Sequence, residues 1–486
     1  MNILLAASEV FPFCKTGGLA DVAGALAQVL ARYRGHKVAV FLPRYRNIGG
    51  GNFSLKSLPG TFNIPVGTGR IEKAALSYME WGKVSVYFVH NPHYFDRTGL
   101  YRTPAGDFPD NDERFMFFSR AVLEGAKFAG FKPDVIHCND WQTALIPAYL
   151  KTLYSIDAFY ARAASVLTIH NMAFQGIFPK PAYFKAGFGW ADYTPERMEY
   201  YNGFNFLKAG LVYADMVSTV SPTYCREISE SPEKGRGLEG VIRARGADCA
   251  GILNGIDTEV WDPEWDSYLP RGYDVKSFEK GKLLAKQALH KMCGLEYSAD
   301  TPCAGVVSRL DYQKGIDLVV KAVESYAGRM KFFILGTGNR ALEEQVTGLA
   351  KRFPGSVFYL NAHDEAMAHR IYAGCDLFLM PSRFEPCGLS QLIALRYGTL
   401  PVASRTGGLA DTVRGYADDS NPNGFFLRRI DESAFADALA LALALYKDSK
   451  KWSTFVRTAM KGDYSWDLSA RQYLQLYESA VAKARK

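Results

Sequence analysis

At 486 residues with a net charge of +7 and 48% apolar residues, the chain is larger than one ordinary core, and its composition excludes a disordered polymer; two or three domains are expected. The charge is modest for this length, and no run of Lys and Arg follows a nucleic-acid backbone, so an anionic small ligand is expected and nucleic acid is not. Eight cysteines without a CxxC, metal spacing or disulfide ladder fit a reducing, cytoplasmic setting, and no apolar run is long enough to span a bilayer, so no membrane partner is expected.

In chain order, the opening run Asn2 to Phe13 is broken by Ser8, Glu9 and Pro12 and reads as a buried strand with a loop rather than a signal peptide. Short apolar runs at Ile3–Ala7, Lys37–Leu42, Val84–Val89, Val135–His137, Ser165–Ile169 and Met216–Thr219 predict buried strands. Amphipathic segments such as Asp21–Tyr33, Asp112–Phe128 and Trp141–Tyr154 predict the helices between them. The alternation implies a mostly parallel sheet, a first Rossmann-like domain spanning 1–246. After Ser221-Pro222 the pattern loosens into a glycine- and charge-rich stretch, then resumes with strands at Ala304–Ser308, Lys331–Leu335, Val357–Leu360, Leu377–Met380 and Leu400–Ala403. This predicts a second Rossmann-like domain over 247–460, with helices that include Ile316–Tyr326 and Arg340–Phe353, and a C-terminal helical segment over 461–486.

One hexapeptide occurs twice: Lys15 precedes Thr16-Gly17-Gly18-Leu19-Ala20-Asp21, and Arg405 precedes Thr406-Gly407-Gly408-Leu409-Ala410-Asp411. Two glycines before a helix turn backbone N–H groups toward one point, and the flanking base adds full charge, so each copy is a candidate anion cradle or a tight strand-to-helix turn. Ligands of parallel sheets sit beyond the carboxyl ends of the strands. There, Arg309 and Lys314 place two bases in one short loop. Glu385, Cys387, Gly388 and Leu389 precede another helix, where Glu385 can accept from hydroxyls or serve as a plain helix-start carboxylate. Asp140, Trp141, His170 and Asn171 suit a polyhydroxylated ligand, with Trp141 offering a stacking face, although a strand-end His also serves structure.

Other signals point to structure. Gly336-Thr337-Gly338 imitates a dinucleotide fingerprint, but Tyr359-Leu360-Asn361 lacks the acid that should end the next strand. Asp110-Asn111-Asp112 reads as a helix cap rather than a metal motif. Neither a cofactor nor an obligatory metal is expected. Asn254-Gly255-Ile256-Asp257 is a turn first and a ligand loop second.

Assembled, the motifs Lys15-Thr-Gly-Gly-Leu, His137-Cys-Asn-Asp-Trp, His170-Asn-Met-Ala-Phe-Gln-Gly, Asn254-Gly-Ile-Asp, Ser308-Arg-Leu-Asp-Tyr-Gln-Lys-Gly, Phe384-Glu-Pro-Cys-Gly-Leu and Thr406-Gly-Gly-Leu make the chain similar to bacterial glycogen synthases and plant starch synthases. Phe174, Arg405 and Ile393 depart from residues common in that pattern. The resemblance implies an α/β GT-B fold of two Rossmann-like domains facing an interdomain cleft, with the acceptor on the first domain and the nucleotide on the second. It implies retaining transfer of glucose from ADP-glucose to an α-1,4-glucan such as glycogen. By resemblance Lys15, Arg309 and Lys314 grip the diphosphate, helped by Gly18, Gly388 and Leu389. Glu385 holds the transferred glucose, and His170, Asn171 and Asp140 line the sugar side. Asp21, Asn254, Cys387 and Thr406 complete the expected set of substrate contacts. A phosphorylase-like enzyme carrying pyridoxal phosphate and a noncatalytic glucan-binding protein are the competing readings.

Overall fold

The carboxyl edges of two parallel sheets organise the chain. The computed structural model describes residues 1–49, 53–67, 69–417 and 419–485, so Lys486, the end of the expected C-terminal segment, lies outside the described residues. The chain divides into two compact units: Met1–Val220 with Cys225–Ile252 and Trp466–Lys486, and Ser221–Tyr224 with Leu253–Ser465. Among the described residues no helix is long and apolar enough to cross a membrane.

In the first unit the strands of the main sheet are β1 (Asn2–Ala6), β2 (Lys37–Pro43), β3 (Lys56–Ser57), β4 (Phe62–Val66), β5 (Arg70–Trp81), β6 (Val84–His90), β7 (Val135–Asn139), β8 (Ala164–Ile169), β9 (Met216–Thr219) and β10 (Cys249–Gly251). Their order is β10-β9-β8-β7-β1-β2-β6-β5-β3, with β4 paired to β5. The strands from β10 to β6 run parallel, whereas β5 pairs antiparallel with β6, β4 and β3. Residues of β1, β7 and β8 are buried on both faces, which accounts for their continuous apolar spelling. Helix α1 (Gly18–Arg32) follows β1, and α2 (Asn111–Phe128) packs on the antiparallel extension through β4.

The second unit orders β11 (Cys303–Val307), β12 (Lys331–Leu335), β13 (Val357–Leu360), β14 (Leu377–Met380), β15 (Leu400–Ser404) and β16 (Phe425–Leu427) as β13-β12-β11-β14-β15-β16, all parallel. Helices α3 (Ile316–Tyr326), α4 (Ser390–Arg396) and α5 (Gly407–Thr412) follow β11, β14 and β15. The last helix, α6 (Trp466–Ala484), belongs to the first unit, where Tyr477 bonds the buried His137 at 2.8 Å and Tyr473 lies beside the same ring.

Three local expectations change. The hairpin β4–β5 has no counterpart among the expected strands, because its burial alternates with polar positions instead of forming an apolar run. The helix expected over Trp141–Tyr154 shrinks to Leu145–Lys151, since Asp140 takes a left-handed φ of 56° and Trp141–Ala144 form turns. Asp110 stands at the N-cap of α2, but its carboxylate takes a bidentate pair from Arg97 at 2.7 and 2.6 Å and does not cap the helix.

Candidate active site

Each sheet has a point where the strand order reverses, and there adjacent loops diverge to leave a crevice. In the second unit that point lies between β11 and β14. The loop after β11 carries Arg309 and Lys314; the loop after β14 carries Ser382 and Glu385. Lys314 Nζ meets Glu385 Oε2 at 2.6 Å, and Ser382 Oγ donates to the same oxygen at 3.1 Å. Glu385 is 5% exposed, so its charge is held by a cation and a hydroxyl in place of water.

The surrounding backbone fixes this pair. Lys314 N–H donates to Asp311 Oδ1 at 2.9 Å, and Arg383 N–H donates to Gln313 O at 2.8 Å. Arg383 also forks onto Asp317 at 2.8 and 2.7 Å. Gly315 turns into α3 with φ 68°, and a Cβ there would lie 2.1 Å from Pro381 O, so only glycine lets the two loops touch. Arg309 extends outward, its side chain 55% exposed and 3.3 Å from Asp311. A part-buried ion pair and an exposed guanidinium on the same loop can hold a sugar hydroxyl and a phosphate together.

In the first unit the reversal lies between β1 and β7. The loop after β1 contains Glu9 and Lys15. Buried Glu9 accepts from the backbone N–H of Thr16, from Thr16 Oγ1 at 2.9 Å, from Gly17 N–H at 3.1 Å and from Tyr101 OH at 3.1 Å. Burial still holds its carboxyl above the usual range. Lys15 Nζ pairs with Asp21 Oδ1 at 2.7 Å. Gly17 is extended at φ −151°, and a Cβ on Gly17 or Gly18 would meet nothing within 4 Å. These glycines are therefore required neither by a left-handed backbone nor by a close neighbour; they leave room at the start of α1.

After β7, Asp140 turns inward. Its Oδ1 accepts from His170 N–H at 2.7 Å and its carboxylate takes the Asn171 N–H as well. Burial pushes this carboxyl up to about 7. Asn139 donates its amide to Ala6 O at 3.1 Å, which leaves Asn139 Oδ1 as the acceptor for His170 Nε2–H at 2.9 Å. Burial pulls His170 down to about 3, so near neutrality the imidazole is uncharged, its Nε2 protonated and its Nδ1 an acceptor.

The expected residues thus separate. Lys314 and Glu385 come together, with Arg309 earlier on the same loop as Lys314; Lys15, Gly18 and Asp21 share the mouth of α1; His170 stands at the end of β8. Others are held in local bonds or in the core. Asp140 is a clamp on the loop that carries His170 and Asn171, and Asn171 Oδ1 accepts from Ala173 N–H at 2.9 Å in a local turn. Trp141 is no stacking face: it is 9% exposed among Phe115, Phe178 and Phe206. Cys387 is a buried thiol, pushed up to about 12 by burial, that accepts a hydrogen bond from the Asn254 backbone N–H. Gly388 turns with φ 76° against Gln391, Leu389 packs on the core, and Thr406 is buried.

Gly336 and Gly338 pack against Ser308 and Leu310, where an added Cβ would lie 1.8 and 2.3 Å from the carbonyl oxygens. The false dinucleotide fingerprint therefore buttresses the Arg309 loop. Sequence reasoning missed two residues, Glu9 and Ser382. The signal for Glu9 was a lone carboxylate in an apolar opening run; Ser382 had none.

Known proteins match both units. Residues 2–244 fit the family described as the starch synthase catalytic domain, and residues 296–458 fit glycosyl transferases group 1. The catalytic domain of starch synthase IV from Arabidopsis thaliana, bound to ADP and acarbose, superposes with a TM-score of 0.90 at 35% identity over 99% of each chain. Sucrose-phosphate synthase from Thermosynechococcus elongatus shares the fold, with a TM-score of 0.63 at 19% identity over 99% of each chain. These matches define a two-domain glycosyltransferase of GT-B type. The glycogen synthase of Elusimicrobium minutum is 53% identical over 99% of this chain and 100% of its own. That of Syntrophotalea carbinolica is 47% identical over 99% of each. The chain belongs to the family of glycogen and starch synthases.

Proposed function

We propose that this enzyme builds glycogen by moving glucose from ADP-glucose to the nonreducing 4-hydroxyl of an α-1,4-glucan, with retention of anomeric configuration, in the cytoplasm. The observation that carries the reading is the Lys314–Glu385–Ser382 cluster, with Glu385 and Ser382 buried, beside the outward-reaching Arg309. The donor reading is supported by the Arabidopsis neighbour, which binds ADP and acarbose, and the cytoplasmic setting by eight unpaired thiols.

The diphosphate is the group whose charge grows as the glycosidic bond breaks. Arg309 and Lys314 supply the countercharge, and Lys15 is read as a further cation for the diphosphate. Glu385 has one oxygen engaged by Lys314 and Ser382, which fixes the carboxylate for a glucose hydroxyl. Retention by double displacement would need a carboxylate nucleophile at the anomeric carbon. In the same-face route proposed here, the departing diphosphate takes the acceptor proton, and the protein contributes position and charge stabilisation.

Arg309→Ala is the cleaner probe, because Lys314→Ala also strands the buried Glu385 charge. Steady-state transfer with the purified variant and glycogen should fall by about 100-fold or more while its thermal unfolding matches the parent. Near-parent turnover would remove Arg309 from the diphosphate site. Parallel assays with ADP-glucose and UDP-glucose test the donor, and equal kcat/KM for both would defeat the ADP assignment.

A further inference from the structure

The mouth of α1 resembles an anion cradle in its spelling, yet its first two N–H groups already have an anion. Glu9 accepts from Thr16 N–H and Gly17 N–H, and its other oxygen receives the Thr16 and Tyr101 hydroxyls. Tyr101 is itself braced by Ser8 at 2.6 Å. Glu9 is 4% exposed. Above the loop stand Lys15 and the empty space at Gly17 and Gly18.

An internal carboxylate in this position does two things. It satisfies donors that a phosphate would otherwise claim, so an incoming anion is directed to the Lys15 ammonium and the backbone from Gly18 onward. It also pins Thr16 and Gly17 from below while Asp21 holds Lys15 from the side, so the ammonium is pre-positioned at little further entropic cost.

We propose that Glu9 is a positioning residue for donor binding, acting through Lys15 and never touching the substrate. The inference rests on the reading that Lys15 contacts the diphosphate of ADP-glucose. It assigns the job to the two backbone N–H bonds more than to the negative charge, because an amide oxygen can accept the same pair.

The test is a double-mutant cycle on the full chain with ADP-glucose and glycogen. Glu9→Met, which fills the volume but accepts nothing, should lower kcat/KM for ADP-glucose by about 30-fold with the KM for glycogen within about two-fold. Glu9→Gln should stay within about three-fold of the parent, and Glu9→Met with Lys15→Ala should be no worse than Lys15→Ala alone. Glu9→Met at parent levels, or losses that multiply in the double variant, would overturn the proposal while leaving the Lys15 reading intact. Parent-like Lys15→Ala would defeat that reading, and the proposal with it. If Glu9→Met does not fold, Thr16→Val, which removes the hydroxyl donor and leaves both backbone N–H bonds, should stay within about three-fold of the parent in kcat/KM for ADP-glucose; a loss of about 30-fold would overturn the assignment to the backbone bonds.

Discussion

The two copies of Thr-Gly-Gly-Leu-Ala-Asp have the same letters and opposite surroundings. In the first, a Cβ on either glycine meets nothing within 4 Å; in the second, a Cβ on Gly407 would lie 1.9 Å from Glu385 O and one on Gly408 2.1 Å from Cys387 O. Gly17 is extended, whereas Gly407 is left-handed at φ 46°. Lys15 reaches Asp21, while Arg405 lies 4.3 Å over the Phe426 ring. Asp411 accepts from Thr223 N–H and Oγ1 at 2.8 and 2.7 Å. One copy leaves space for a ligand; the other presses its backbone against the loop that carries Glu385. A glycine pair is thus read by what a missing Cβ leaves free.

The largest expected contrast comes from adding that Cβ. Gly407→Ala must strain the backbone and displace a carbonyl, and should cost more than about 3 kcal/mol in chemical denaturation. Gly18→Ala should leave stability within about 0.5 kcal/mol and raise the KM for ADP-glucose. Equal stability losses would erase the distinction. At the acidic positions, Asp411→Asn should lower stability by about 1 kcal/mol. Asp21→Asn, which loosens an exposed pair, should alter donor kinetics with little change in melting temperature. Reversal of those two outcomes would mean that the roles have been exchanged.

A further contrast concerns pH at the neighbouring clamp. Burial raises Asp140 from 3.8 in the unfolded chain to about 7, so between those values the folded state holds the extra proton and the carboxyl's contribution to stability falls as pH rises. Asp140→Asn lacks that slope. Its melting temperature relative to the parent should therefore climb from pH 4.5 to pH 8, levelling above about 7. A constant difference would show that the carboxyl titrates normally.

Much of the second domain was legible because strands such as Lys331–Leu335 and Leu377–Met380 are unbroken apolar runs between clear helices. The Arg309, Lys314 and Glu385 loops were legible for a related reason: polar residues directly after such runs must emerge at the sheet's carboxyl edge. Less legible were partners distant in sequence. Nothing in the spelling of Glu9 announces Tyr101, and nothing in Cys387 announces the Asn254 N–H. Trp141 illustrates the opposite error, since an aromatic beside His and Asp reads as a platform until Phe115, Phe178 and Phe206 enclose it. The antiparallel hairpin was lost because half its positions face water.

The last helix also governs the order in which the molecule can be made. Tyr477 closes over His137 on β7, the strand that leads into Asp140, although the two residues lie 340 positions apart with the second unit between them. The first domain therefore cannot complete its interior until the second has been synthesised in full. An amino-terminal product ending at Ile252 would expose that interior. Helix α6 is thus the piece that closes the first unit's interior from the far side of the second in sequence.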